Sequence, residues 1–376
     1  MRLPSALLRL RWWRWVVLLA AVAVLAALPA LAGALPVPGR GVPAATLLAR
    51  VQASAPVPYQ GYAESRAGLG LPDVPNASGV VALLGETTRM RAWVASPVDW
   101  RVDQLTTIGE HDLYHQADGT WLWDSGSRHA EETRGEPAVR FARPADLLPP
   151  ELGRRLAAAA TPAEVRPIAG RRIAGVAAAG LRITPSSASS TVGHVDLWAD
   201  PASGLPVRVE VTTKGAATPI IVSTFLDLRQ TAPSPAVVGF QLPDDATAEV
   251  EDTQDIAQAI DRWSPFVLPD QIGGLPRRTT VGAAAGTYGE RFDLVAALAF
   301  PNQISRRTRA FLAQLPQKTG PWGTAGVIST PLLNGMIFEH NQVAYVLAGT
   351  VTQAALERTA AALVNQPLGL RQGTPQ

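Results

Sequence analysis

"WRVDQLTTIGEHDLYHQADGTWLWDSGSRHAEE", residues 100–132, carries the strongest fold signal in the chain. Apolar and polar residues alternate over Trp100–Thr106, Glu110–Gln116, Thr120–Asp124 and Ser127–Thr133, the period of a half-buried strand. Ala117-Asp118-Gly119 and Ser125-Gly126 interrupt the runs where hairpins need turns. The stretch predicts an antiparallel meander. Trp121 and Trp123 share one of its faces, because side chains alternate along a strand.

Before the meander, Thr88–Val94 joins the same array across a turn holding Pro97. Tyr59–Arg66 alternates as a strand, and residues 67–79, rich in Gly and Pro, read as a loop. Ala44–Ser54 has apolar residues at helical spacing and is stopped by Pro56 and Pro58. On the other side, Pro144–Ala159 reads as a helix in two pieces around Pro149-Pro150. Strands are expected at Glu164–Ile168, Ile173–Thr184, Gly193–Ala199, Leu205–Thr213 and Thr218–Leu228, closing near "FQLPDDATAEV", residues 240–250. Roughly ten strands in one open sheet must curl or close. The expected fold is α+β: a large, mostly antiparallel open half-barrel over residues 44–250, with helices capping its concave side.

A smaller α+β domain is expected over residues 251–366. Asp252–Arg262 and Ser305–Gln314 read as helices, Thr287–Phe300 as a strand or strand pair, and Gly326–Thr330, Leu332–Glu339 and Val343–Ala348 as strands. Thr352 is placed to N-cap a helix running to Val364. Residues 367–376 read as a flexible tail.

The N-terminus has a different character. Residues 16–35 carry no charge and are long enough to cross a hydrocarbon core of ~30 Å. The basic residues 1–15, with tryptophans at 12, 13 and 15, favour a cytoplasmic start. The segment is either a transmembrane anchor or a signal peptide cut after Ala32-Gly33-Ala34. Both place the body on the extracytoplasmic side, at the cell membrane or secreted, and residues 36–43 form a Pro/Gly linker.

The chain has 33 basic and 31 acidic residues, and four of the basic ones, Arg2, Arg9, Arg11 and Arg14, precede that apolar run. The remaining 29 against 31 leave a nearly neutral body without a basic stripe, which speaks against nucleic acid. The absence of cysteine excludes disulfides, thiolate chemistry and a lipidated-cysteine anchor.

Motifs for catalysis are missing. His111 and His115 would suit a metal on a helix, but on a strand an offset of four separates them by ~13 Å. Ser127 near His129 lacks the nucleophile-elbow pattern and reads as a hairpin turn. Glu131-Glu132 and Asp244-Asp245 read as solvated surface. No enzyme, metal or cofactor is expected. The remaining candidates are apolar. Trp93, Trp121, Trp123, Trp198, Val207, Val209, Val211 and Phe225 are candidates to line a cavity, and equally to fill a sheet-on-helix core. Alternation groups them by face without saying which face is concave.

Three stretches together resemble the LolA-like and RseB/MucB-like proteins. They are the meander itself, "VDLWADPASGLPVRVEV" and "STFLDLRQ…FQLPDDATAEV", in that order over residues 44–250. The N-terminal membrane segment and the preference for Arg over Lys resemble versions from high-GC Gram-positive bacteria, the actinobacterial type. The resemblance implies an unclosed β-barrel capped by helices that holds a lipid or the acyl chain of a lipoprotein. The alternative it implies is a regulatory module that docks on a transmembrane anti-sigma factor. The large half-barrel followed by a small domain is closer to the RseB-like layout.

Overall fold

The computed structural model describes residues 42–371 except 73–77, 108, 136, 138, 253–254, 280–281 and 303–311. Residues 16–35 therefore lie outside the described residues, as does most of the helix expected at Ser305–Gln314. Among the described residues, no helix is long and apolar enough to cross a membrane.

The N-terminal unit begins with α1 (Ala44–Gln52), β1 (Tyr59–Ala67), α2 (Ser78–Gly85) and β2 (Thr87–Ser96). The meander follows as β3 (Asp99–Leu105), β4 (Glu110–Gln116), β5 (Gly119–Asp124) and β6 (His129–Arg134). A 3₁₀ turn (Pro144–Leu147) leads into α3 (Pro149–Ala158), so the two-piece helix is present and breaks at Leu148. Next come β7 (Val165–Ile173), β8 (Val176–Ile183), β9 (Val192–Ala199), β10 (Pro206–Thr213) and β11 (Ile221–Arg229), then the short α4 (Pro235–Val238) and β12 (Thr247–Asp252).

All twelve strands form one open sheet in the order β12-β6-β5-β4-β3-β2-β1-β11-β10-β9-β8-β7. Neighbours run antiparallel except β12, which lies parallel to β6. Bulges at Tyr62/Ala63 and Ile168/Arg171 bend the strands that carry them. The concave face is filled at one end by α1 and α3. There Leu47, Leu48 and Val51 pack on Leu181, Val195, Leu197, Val209 and Val211. Gly153 lets α3 sit this close, since a Cβ there would stand 2.7 Å from Pro206 Cβ.

Three sequence expectations change. Residues 78–85 are helical, in part where a loop was expected; "SGVVALLG" is apolar nearly all round and shows no amphipathic period. The β7–β8 hairpin turns at Ala174-Gly175 (φ 46° and 81°), so the strand expected from Ile173 begins beyond the turn, at Val176. Both central residues have positive φ, as a type I′ turn requires, but Ala-Gly lacks the usual Asn or Asp marker. Gly369-Leu370, expected in the tail, pair with Phe266-Val267, and the Arg371 N–H donates to Pro265 O.

The C-terminal unit holds α5 (Ile256–Trp263), β13 (Phe266–Val267), β14 (Gln271–Ile272), β15 (Leu275–Thr279), β16 (Ala285–Tyr288) and β17 (Val295–Pro301). It continues with β18 (Gln317–Gly320), β19 (Gly323–Ser329), β20 (Asn334–His340), β21 (Val343–Gly349), α6 (Gln353–Val364) and β22 (Gly369–Leu370). Strands β14 to β21 make a second antiparallel sheet of eight. Leu356, Ala360 and Leu363 of α6 join its core, and Thr352 caps α6 as expected by accepting from the Ala355 N–H. The two units are joined by hydrogen bonds: Thr191 N–H to Thr350 O (3.0 Å), Thr352 N–H to Ser189 O (2.7 Å) and Thr191 Oγ1 to Leu332 O (2.6 Å). Phe292 and Leu332 enter the half-barrel's core cluster.

Candidate functional site: a divided trough on the concave face

Strand register lines up a row of apolar side chains across the meander. Ala92 pairs with Val102, Val102 with Leu113, and Leu113 with Leu122. Alternation puts all four on the concave face. Toward β1 this row is covered. Toward β5 it opens, and Leu122 is 42% exposed.

Here the concave face forms a trough along the strands. Its first chamber, about 560 Å³, is bounded by α2 (Val80, Leu83), by Val102, Leu113 and Leu122 on the floor, and by Phe141 and Pro144 on the near wall. His111, Glu131 and Arg143 stand among its polar lining. The second chamber, about 460 Å³, lies at the other end of the same strands, over Val94, Trp100, Val102 and His115. Val102 belongs to both.

Residues 140–148 cross the trough between the chambers and form a bar. Asp146 holds it in place. Its buried carboxylate accepts two bonds from Arg140 (2.7 and 2.9 Å), one from the Arg143 N–H (2.8 Å) and one from Arg155 (3.1 Å). Burial opposes ionisation of Asp146, but these donors outweigh it and hold the carboxyl below the usual range. Ser223 Oγ also donates to Leu147 O, tying the bar to β11. Phe141, by contrast, is 56% exposed.

The outer face is built differently. Residues 230–246 must travel from β11 to β12 past the six strands between them, and they do so as a strap. α4 packs against β2 and β3. Phe240 stacks on Trp121 (4.8 Å) and meets Tyr114 (5.1 Å) and Trp123 (6.2 Å). Beside them Arg101 lies between Trp93 and Tyr114 and binds Asp103 with two bonds (2.6 and 2.8 Å) and Asp112 with one (3.0 Å). Asp103 and Asp112 face each other across β3 and β4, both buried, and Asp112 Oδ1 has no partner. Burial and the Asp103 charge push Asp112 up to about 6, against the pull of Arg101. Burial also raises Asp103. Carboxylate oxygens of Asp103, Glu110 and Asp112 come within 4.8 Å of one another, a spacing a cation could use. The Arg101 guanidinium already stands among them.

These facts place the candidate residues. Trp121 and Trp123 share a face, but it is the outer one, where Phe240 covers them; they do not line the trough. Trp93 is also outside, over a shallow pocket of about 220 Å³ with Tyr62, Arg91 and Arg229. Trp198 is buried, donates from Nε1 to Ala169 O (2.9 Å) and carries the Arg171 guanidinium 4.2 Å over its ring. Val209 and Val211 lie in the solid core under α1 and α3, while Val207 and Phe225 pack with Tyr59, Leu147 and Leu148. None of the eight lines either chamber. The reason is the strap: a chain crossing the outer face buries large aromatics there, so size and alternation do not point inward. The floor residues Val102, Leu113 and Leu122 escaped notice because each is ordinary alone; only the register makes them a row.

Other candidates resolve simply. His115 stacks on Trp100 (5.0 Å) and meets Thr120 Oγ1 (3.0 Å), whereas His111 is exposed. The Ser127 turn is closed by Asp124, and His129 meets Thr247 Oγ1 rather than Ser127.

The fold is similar to those of MucB and of LolA-superfamily proteins. A crystal structure of MucB in complex with MucA aligns at 15% identity over 88% of this chain and 100% of that one, with a TM-score of 0.48. The Pseudomonas aeruginosa MucA/MucB complex aligns at 14% identity over 88% and 99%, with a TM-score of 0.49. A LolA superfamily protein from Nitrosomonas europaea aligns at 10% over 53% and 99%, with a TM-score of 0.23. No family model and no curated protein matches the sequence.

Proposed function

We propose that the chain is a non-enzymatic binding protein of the cell envelope whose trough takes an apolar chain, a lipid or the acyl group of a lipoprotein. The observation that carries this reading is the open apolar row ending at Leu122, walled by Leu83 and Phe141. A folded chain gains by covering such a surface. An acyl chain of ~12 methylenes buried at ~0.8 kcal/mol each would contribute ~10 kcal/mol before the cost of ordering it. The sequence resemblance supports the same reading. The apolar segment 16–35 supports placing the body outside the cytoplasm, anchored to or released from the membrane.

A second reading has its own observation. Trp263, at the end of α5, is 83% exposed, and Leu370 is 69% exposed on the same small unit. Such side chains suit docking on a protein partner, and a transmembrane anti-sigma factor is the partner the resemblance implies.

The test is native mass spectrometry of the full chain recovered from a bacterial membrane, with solvent extraction of what co-purifies. The expected result is a stoichiometric acylated molecule, lost in Leu122→Asp while folding is kept, since Leu122 is half in solvent already. A clean unliganded mass that takes up no offered lipid would overturn the reading. A protein partner lost in Trp263→Ala would then favour docking.

A further inference from the structure

The trough is longer than either chamber. Trp100, Val102 and Gln104 of β3 and Thr106 just beyond it line its floor in sequence, and six residue steps of extended chain span ~20 Å. Each chamber alone falls within the ~300–1,000 Å³ usual for a small-ligand site. The bar divides them above Val102. It is not poised to leave. Asp146 is buried and holds two arginines and a backbone N–H, and removing such a group from its partners is costly. A ligand using both chambers must therefore straddle the bar, with one apolar arm on each side.

The bar and α3 have a distinct charge. Arg140, Arg143, Arg154 and Arg155 stand against Asp146 and Glu151, and Glu131 lines the first chamber, which leaves a formal balance of +1 around the bar on a nearly neutral body. Arg155 is 56% exposed there. A group seated on the bar is favoured if it is negative.

We propose that the ligand is an anionic lipid with two acyl chains, one in each chamber, its phosphate lying against the arginines of the bar and of α3. This rests on the apolar-ligand reading above and gives it a substrate class. A single-chain amphiphile would fill one chamber and leave the other wet. A zwitterionic two-chain lipid would fill both but gain less at the bar, because its own cation offsets the phosphate.

The test uses the full chain, purified in detergent, stripped of lipid and titrated by native mass spectrometry. The probes are dioleoyl-phosphatidylglycerol, dioleoyl-phosphatidylcholine and oleoyl-lysophosphatidylglycerol. Lipid bound along the apolar N-terminal segment sets a baseline shared by all variants. The expected result is one specific phosphatidylglycerol, held at least tenfold more tightly than either other probe. Leu122→Trp, which narrows the first chamber at its floor, and Val94→Trp, which narrows the second, are each expected to reduce diacyl binding to the level of the lyso lipid. Both should leave the lyso lipid within about twofold, because one chamber remains. Circular dichroism and a melting curve check that each variant is folded. Equal binding of the diacyl and lyso lipids overturns the two-chamber proposal and keeps the apolar-ligand reading. So does loss confined to one variant. Equal binding of phosphatidylcholine overturns the anionic head. No specific uptake of any probe by the folded protein overturns both.

Discussion

Asp112 offers the sharpest test of how the meander is held together. Its side chain is 8% exposed, faces buried Asp103 across the strand pair, and shares a single guanidinium with it. With both acids ionised, one buried carboxylate oxygen has no donor. With one proton between them, Asp112 can donate to Asp103, and the pair titrates as a unit. Burial raises Asp112 from 3.8 to about 6. At ~1.4 kcal/mol per pH unit, the difference between folded and unfolded chains is at most about 3 kcal/mol. Solvent reaching Arg101, 23% exposed, screens part of this, so about 1–2 kcal/mol is expected. The folded state binds the proton more tightly. The stabilisation is therefore complete below the unfolded value near 4 and is lost as pH rises through about 6. Asp112→Asn keeps the shape and the donor and removes the titration. Urea unfolding of both proteins from pH 4 to 8 isolates the titration of the pair, because carboxylates outside it cancel in the difference. The variant should gain about 1–2 kcal/mol on the wild type between pH 4 and pH 7.5. A difference flat across that window, or one of opposite slope, would refute the shared-proton account.

Three further outcomes follow from contacts elsewhere. Gly61→Ala should destabilise by about 2 kcal/mol in urea, because its Cβ would stand 2.5 Å from Asp227 O and 3.1 Å from the Phe225 ring. Phe240→Ala should cost about 2 kcal/mol and red-shift tryptophan emission, since it uncovers Trp121 and Trp123. An unchanged spectrum would mean that the strap does not cover them. Thr352→Ala should cost about 1 kcal/mol through the lost cap of α6, measured by thermal melting, with trough ligands unaffected.

Much of the architecture was legible from local pattern. The meander strands, the two-piece helix around Pro149-Pro150 and the Thr352 cap are each set by residues within a few positions of one another. Where the local signal was silent, the reading failed. The α2 segment has no polar face to mark a period. The turn at Ala174-Gly175 carries no turn-forming side chain beyond its glycine. The Phe266–Leu370 pairing is made by backbone groups that any side chain supplies, between residues about a hundred apart.

The site was the least legible part, for the same reason. The residue order alone puts Trp121 and Trp123 on one face of β5 and Leu122 on the other, because alternation is a property of the single strand. It also determined that the body has no charge stripe and no thiol chemistry. Which face is concave depends on the sense in which twelve strands curl, and on where α1, α3 and the bar settle. Which face is covered depends on a strap that begins at β11 and must reach β12 across the whole meander. Both are contacts between residues remote in sequence. Only the tertiary structure could turn the tryptophans outward under Phe240 and leave Val102, Leu113 and Leu122 as the floor of the trough.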